Sequence, residues 1–260
     1  MNKKTLIVAN WKMNLNVAES SLLVHRLDKK IVSHQDIEIV IAPSMLVLQP
    51  LSKDINHQKF SLASQNAYFK DEGAFTGEVS FSMLRGLVEY GIIGHSARRI
   101  YFHETLEDVR DKVKAAVRNN IIPIICIGES KPERLAGETM QVLHDQLTTA
   151  IYHLTSEEVA KIVIAYEPIW AISTFDGEPS KPSDMQRVLK FIRSQIKDLF
   201  GHNIAEEIRI LYGGSVDNHD VLAYLSLKDC DGILVGAASL NYEHFVDIVQ
   251  KAYSLKHSKK

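Results

Sequence analysis

Lys161-Ile-Val-Ile-Ala-Tyr-Glu167-Pro-Ile-Trp-Ala171 joins a short, unbroken apolar run to a polar exit that opens with an acid and a proline. Alternating polarity marks a strand with one wet face, whereas a continuous Ile/Val run marks a strand buried on both faces, as in a parallel sheet. Pro168 fixes the backbone just past the run and confines Glu167 to extended conformations, so a carboxylate is aimed where the strand ends. The same grammar recurs upstream, where 5–9 runs into Asn10-Trp11-Lys12 and 90–93 runs into Gly94-His95-Ser96. A lysine, a histidine and a glutamate thus occupy equivalent strand exits.

Working outward, such runs repeat at about the thirty-residue period of a βα unit. They fall at 5–9, 37–42, 60–64, 90–93, 121–127, 162–165, 208–212 and 232–235, and helical periodicity separates them, most clearly at 17–32, 105–119, 138–153, 184–200 and 242–256. Eight strands, each followed by a helix, predict a single-domain (β/α)8 barrel over the whole chain, with a doubly wound open sheet as the competing arrangement.

Composition agrees. The chain has 260 residues, 45% hydrophobic and 24% charged, enough to bury one large core, and no linker-like stretch divides it. A formal net charge of -2 carries no basic footprint for nucleic acid or an anionic membrane, so an anionic ligand must be gripped locally and must be small. Cys126 and Cys230 sit at apolar runs, which predicts buried thiols in a reducing compartment. The first apolar stretch is too short for a signal peptide and no run reaches membrane-spanning length, so the expected location is the cytoplasm.

In a barrel of this kind, chemistry gathers at the C-terminal ends of the strands. Tyr212-Gly-Gly-Ser215 follows the seventh run and Gly236-Ala237 follows the eighth. Glycine-rich backbone at those two positions leaves N–H groups open to a phosphate. Either loop alone reads as an ordinary turn; together they predict a phosphate site. Neither histidine nor cysteine spacing predicts a metal site.

With these motifs in place, the chain resembles the triosephosphate isomerases along essentially its whole length. The resemblance rests on Ala9-Asn10-Trp-Lys-Met-Asn14, Gly73-Ala-Phe-Thr-Gly-Glu78, Gly94-His95-Ser96, Cys126-Ile-Gly-Glu129, Tyr166-Glu-Pro-Ile-Trp-Ala171 and Tyr212-Gly-Gly-Ser215. It implies the glycolytic and gluconeogenic interconversion of dihydroxyacetone phosphate and glyceraldehyde 3-phosphate through an enediolate, with no metal or organic cofactor. By the same resemblance Glu167 is the base, His95 a neutral electrophile supported by Asn10, and Lys12 the fixed positive charge. Backbone groups of Ser173, Ser215, Gly236 and Ala237 hold the phosphate. Ser96 caps the segment after His95, Trp170 hinges a lid with Glu129 as its partner, and Tyr212 lies in the supporting shell. The 73–78 segment implies a homodimer in which Thr76 approaches Asn10 and Lys12 of the other subunit.

Taken singly, each of these residues also has a bland reading. A glutamate before proline is usually a solvated loop residue, a lysine after a strand is usually surface, and Trp11 reads best as a packing aromatic. Cys126 reads as an inert structural thiol. Three features depart from the family pattern: Ala97 replaces a glutamate that normally pairs with the active-site lysine, Ile172-Ser-Thr-Phe175 replaces Ile-Gly-Thr-Gly, and Ala237 replaces a glycine. They leave two other readings open, an isomerase of a four-carbon ketose phosphate and a catalytically weak phosphate-metabolite binding protein.

Overall fold

The computed structural model describes residues 3–172 and 180–257. Along the chain come β1 (Thr5–Asn10), α1 (Val17–Lys30), β2 (Ile37–Ala42), α2 (Met45–Asp54), β3 (Phe60–Ser64), α3 (Phe81–Leu84), β4 (Tyr90–Ile93), α4 (Ser96–Tyr101), α5 (Leu106–Arg118) and β5 (Ile122–Ile127). Then follow α6 (Lys131–Leu135), α7 (Thr139–Ile151), α8 (Ser156–Val159), β6 (Val163–Tyr166), α9 (Pro182–Phe200), α10 (His202–Glu207), β7 (Arg209–Tyr212), α11 (Val221–Leu225), β8 (Gly232–Val235) and α12 (Tyr242–His257). Every strand pairs in parallel with its neighbours, and β8 returns to pair with β1, which closes the barrel and sets aside the open sheet.

Strand parity stacks the barrel interior in layers. At the N-terminal end Glu38, Tyr90 and Arg209 meet in one hydrogen-bonded group. Above them lie apolar layers that include Val8, Val40, Ile92, Ile124, Ala165 and Leu234. Two residues beyond Val8 on β1 comes Asn10, and two beyond Ala165 comes Glu167, so the period that fills the core also brings polar groups to the C-terminal mouth. Residues of the opposite parity, such as Ile7, Ile41, Ile125 and Ile164, face the helical layer and join the larger core. Fully burying each such side chain contributes about 1.5–3 kcal/mol.

The helices begin where polar caps allow. Asn16 with Glu19, and Thr105 with Asp108, form reciprocal capping boxes at α1 and α5. The observed strands lie within one residue of the predicted runs at either end. Helix α2 is different, because Pro50 sits inside it and interrupts its helical pattern. It is retained through Val47, Leu48 and Leu51, all buried.

Candidate active site

Three strand exits supply the centre of the site. Glu167 follows β6 and is 2% exposed; His95 follows β4 and is 8% exposed. His95 reaches the mouth because Gly94 adopts φ +72, a left-handed turn that resets the strand parity of β4. The imidazole Nε2 lies 3.1 Å from Glu167 Oε1, and the second oxygen, Oε2, accepts the backbone N–H of Ser96 at 3.1 Å. On the far side of the ring, Nδ1 accepts the backbone N–H of Ala97 at 3.1 Å.

These contacts decide the protonation state. A nitrogen that accepts a backbone N–H carries no proton, so in the neutral ring the proton resides on Nε2, which donates to Glu167. Burial lowers the proton affinity of His95, and the charge of Lys12 pushes in the same direction against the opposing pull of Glu167. The ring is a neutral Nε2–H donor.

Glu167 is held from behind. Its backbone N–H donates to Ile127 O at 2.8 Å, and a Cβ on Gly128 would lie 1.8 Å from its carbonyl oxygen. Only glycine allows β5 to approach this closely. The buried Cys126 thiol, kept protonated chiefly by desolvation and next by the neighbouring carboxylate, hydrogen-bonds Glu167 from the barrel interior. Cys126 is inert as a nucleophile, as its sequence reading has it, yet it touches the acid, which nothing in the local motif indicates.

Lys12 sits at φ +53, its N–H taken by Asn10 Oδ1 at 3.1 Å and its carbonyl by Gln65 Nε2 at 2.7 Å. The lysine stem passes over Gly236, where an added Cβ would lie 3.9 Å from Cε and 4.0 Å from Nζ. Asn10, Lys12, His95, Glu167, Ser215, Gly236 and Ala237 line one cleft of about 700 Å³. Ala237 opens a 3-10 turn, Ala237–Leu240, whose first N–H groups have no acceptor within the turn. The N–H of Ser215 donates to Ala171 O at 3.3 Å, a long bond that a phosphate oxygen would have to replace.

Other expected residues stand around this cleft rather than in it. Ser96 does not cap α4; His95 does, and Ser96 contributes its backbone N–H to Glu167 while its Oγ has no partner among the described residues. The cause is that the His95 Nδ1 already reaches the second N–H of the helix. Trp170 Nε1 donates to Glu129 Oε1 at 2.8 Å, and Tyr166 O–H bonds both Glu129 oxygens at 3.1 and 3.2 Å. Tyr212 O–H meets Ser180 Oγ at 2.5 Å and stacks on Tyr224, with ring centroids 4.1 Å apart. Trp11 is fully buried in the core, and the residue also borders the cleft. Thr76 is exposed and does not line the cleft of its own chain. Ser173 lies outside the described residues.

Asp217, Asp220, Asn241 and His244 also line the cleft, beyond the two glycine loops. Sequence reading passed over them because polar residues in a turn are ordinary. Asp220 holds its proton more tightly than a free carboxyl, first through burial and further through the charge of Asp217.

Residues 5–252 match the family model described as triosephosphate isomerase. The chain belongs to the triosephosphate isomerase family. It is 43% identical over 248 residues to a triosephosphate isomerase of Clostridium tetani, covering 95% of this chain and 96% of the relative. A triosephosphate isomerase of Streptococcus suis is 42% identical over 250 residues, 96% of this chain and 99% of its own length. One from Alkaliphilus oremlandii is 42% identical over 248 residues, 95% and 99% respectively. In this triosephosphate isomerase the neutral ring of His95 donates directly to the carboxylate of Glu167, and both line the cleft.

Proposed function

We propose that the chain interconverts dihydroxyacetone phosphate and glyceraldehyde 3-phosphate by proton transfer through an enediolate. The observation that carries this reading is the pair formed by a buried carboxylate and an imidazole whose neutral Nε2–H tautomer is imposed by the Ala97 N–H.

His95 Nε2–H and Ser96 N–H both donate to Glu167. Substrate replaces the first of these bonds: its carbonyl oxygen takes the Nε2–H, and the adjacent carbon faces the carboxylate. Glu167 removes a proton from that carbon, the C–H electron pair forms the carbon–carbon double bond, and the carbonyl electrons move onto oxygen. Charge on that oxygen is met by His95, Asn10 and the Lys12 ammonium, an electrostatic stabilisation that strengthens as water leaves the cleft. The hydroxyl proton passes from its oxygen to the former carbonyl oxygen, the freed oxygen becomes the new carbonyl, and return of the first proton from Glu167 to the neighbouring carbon completes the exchange of aldehyde and ketone. The phosphate is held by N–H groups of Gly236, Ala237 and Ser215, with Ser173 as a further donor.

The assembly is a homodimer. Met13, Leu46, Met83 and Phe102 are 94%, 77%, 66% and 66% exposed and follow the successive strands β1 to β4, so they gather on one side of the barrel mouth. Phe75 folds back on Tyr68, with ring centroids 4.7 Å apart, and leaves Thr76 projecting toward a partner's Asn10 and Lys12. No helix among the described residues is long and apolar enough to cross a membrane. As a member of a glycolytic enzyme family the chain acts in the cytoplasm.

A coupled turnover assay with glyceraldehyde 3-phosphate tests the function. Turnover is expected; its absence defeats the reading. Competition with a four-carbon ketose phosphate, if that compound turned over more readily, would reassign the substrate.

A further inference from the structure

Glu129 lies two residues past β5, and its side chain has no solvent exposure. An ionised carboxylate in such a place is costly unless hydrogen bonds and a cation offset the lost hydration. The hydrogen bonds come from Tyr166 on β6 and from Trp170, in the 3-10 turn Ile169–Ala171 that follows Glu167. The cation comes from α6. Arg134 Nη1 is 3.8 Å from Glu129 Oε1, and its guanidinium carbon stands 4.0 Å from the centroid of the Trp170 ring. Its Nη2 reaches Asp184, in the first turn of α9, at 3.2 Å. One planar group therefore touches the donor and the acceptor of the Trp170–Glu129 hydrogen bond together. Glu133, the one acid on α6, is turned back onto Ser130 and leaves the arginine to Glu129 and Asp184.

We propose that Arg134 is a positioning residue for the isomerisation: its guanidinium supplies the counter-charge for Glu129 and the stacking surface for Trp170, and so fixes the turn that follows Glu167. The turn is registered on β5 by Ile169 N–H to Glu129 O at 3.1 Å, and Glu167 by its own N–H to Ile127 O at 2.8 Å. A shift of Trp170 is therefore transmitted over three residues to the carboxylate. Misplacement of about 1 Å at a reacting group costs on the order of 10²-fold in rate, so even a partial shift is measurable.

Burial raises the proton affinity of Glu129, while the bonds from Trp170 and Tyr166 and the charge of Arg134 oppose that rise. Removing the arginine leaves burial less opposed. The Glu129 carboxyl then takes up a proton at higher pH, and one of its oxygens becomes a donor that competes with Tyr166 and Trp170. The sign is definite: the acid limb of kcat moves upward in pH when Arg134 loses its charge.

The inference rests on the isomerase reading. Its test compares the wild type, Arg134→Met and Arg134→Lys in kcat and KM for glyceraldehyde 3-phosphate across pH, with circular dichroism as the check on folding. Arg134→Met is expected to lower kcat about tenfold at neutral pH with KM within about twofold, and to displace the acid limb upward. Arg134→Lys keeps the charge and loses the planar stack, so it should restore the limb but not the full rate. A limb unmoved in Arg134→Met, whether kcat is unchanged or uniformly lowered, overturns the inference while wild-type turnover stands. The exchange of the Trp170 indole N–H gives an independent readout. Its protection relative to a free indole at the same pH should fall toward acid in Arg134→Met alone, and equal protection in all three proteins would also overturn the inference.

Discussion

The two ends of the barrel use the same strands for opposite purposes. At the N-terminal end Tyr90 O–H donates to Glu38 at 2.5 Å, and Arg209 bridges both partners, 2.7 Å to Glu38 Oε2 and 2.8 Å to the tyrosine oxygen. Charge meets charge, and the group is closed on itself. At the C-terminal end Glu167 is served by two N–H donors and a thiol, His95 is kept neutral, and Asn10 and Lys12 line a cleft. There the polar groups are arranged toward a ligand. One end secures the fold and the other is held ready for chemistry, so substitutions at the two ends should separate stability from rate.

The sharpest way to break that contrast is at Glu167. Glu167→Asp keeps the charge and withdraws the carboxylate by one methylene, which should lower turnover about 10²-fold, or about 2.7 kcal/mol of barrel-mouth chemistry, with the melting temperature unchanged. Steady-state kinetics and calorimetry check it. Undiminished turnover removes Glu167 from its role. The reverse experiment is Arg209→Met, which leaves Glu38 and Tyr90 without their cation. The pair is partly exposed, at 17% and 26%, so the loss lies between surface and buried values, about 2 kcal/mol. Urea denaturation should show it, while kcat stays within about twofold; a large fall in kcat would mean that the two ends are not separable.

What could be read from residues alone follows this division. Apolar runs, most of them continuous, marked the eight strands, since burial on both faces is written directly into side-chain type. Their exits then placed Asn10 and Glu167 at the mouth. The closed end went unread, because Glu38, Tyr90 and Arg209 are far apart in sequence and each is unremarkable alone. Helix α2 was hidden by Pro50. The state of His95 was hidden too: it depends on a backbone N–H from Ala97, and any residue but proline at 97 would supply that donor. Arg134 and Gly128 escaped for a related reason, that a stacking contact and a tight backbone approach have no signature in spacing.

His95 offers a finer test. With burial depressing its proton affinity, the folded ring should remain neutral as pH falls through about 6.5, where a free imidazole gains its second proton. Nitrogen NMR should report an unprotonated Nδ1 and a protonated Nε2 that do not titrate through that range. A titration centred near 6.5 would dissolve the contrast between the open and closed ends. The smallest expected effect is at Ala97. Its N–H is what His95 requires, and a glutamate would preserve it, so Ala97→Glu should change turnover less than about tenfold, about 1.4 kcal/mol. A near-background wild type restored by the glutamate would show that the alanine has crippled the mouth.

The central claim is that the open end moves a proton through Glu167. Conversion of dihydroxyacetone phosphate in deuterated water tests it most directly. A carboxylate that has taken a proton exchanges it with solvent, so the account predicts glyceraldehyde 3-phosphate carrying deuterium at the carbon next to the aldehyde, and loss of both conversion and label in Glu167→Gln. Conversion with no deuterium at that carbon, or label that persists in the variant, would contradict it.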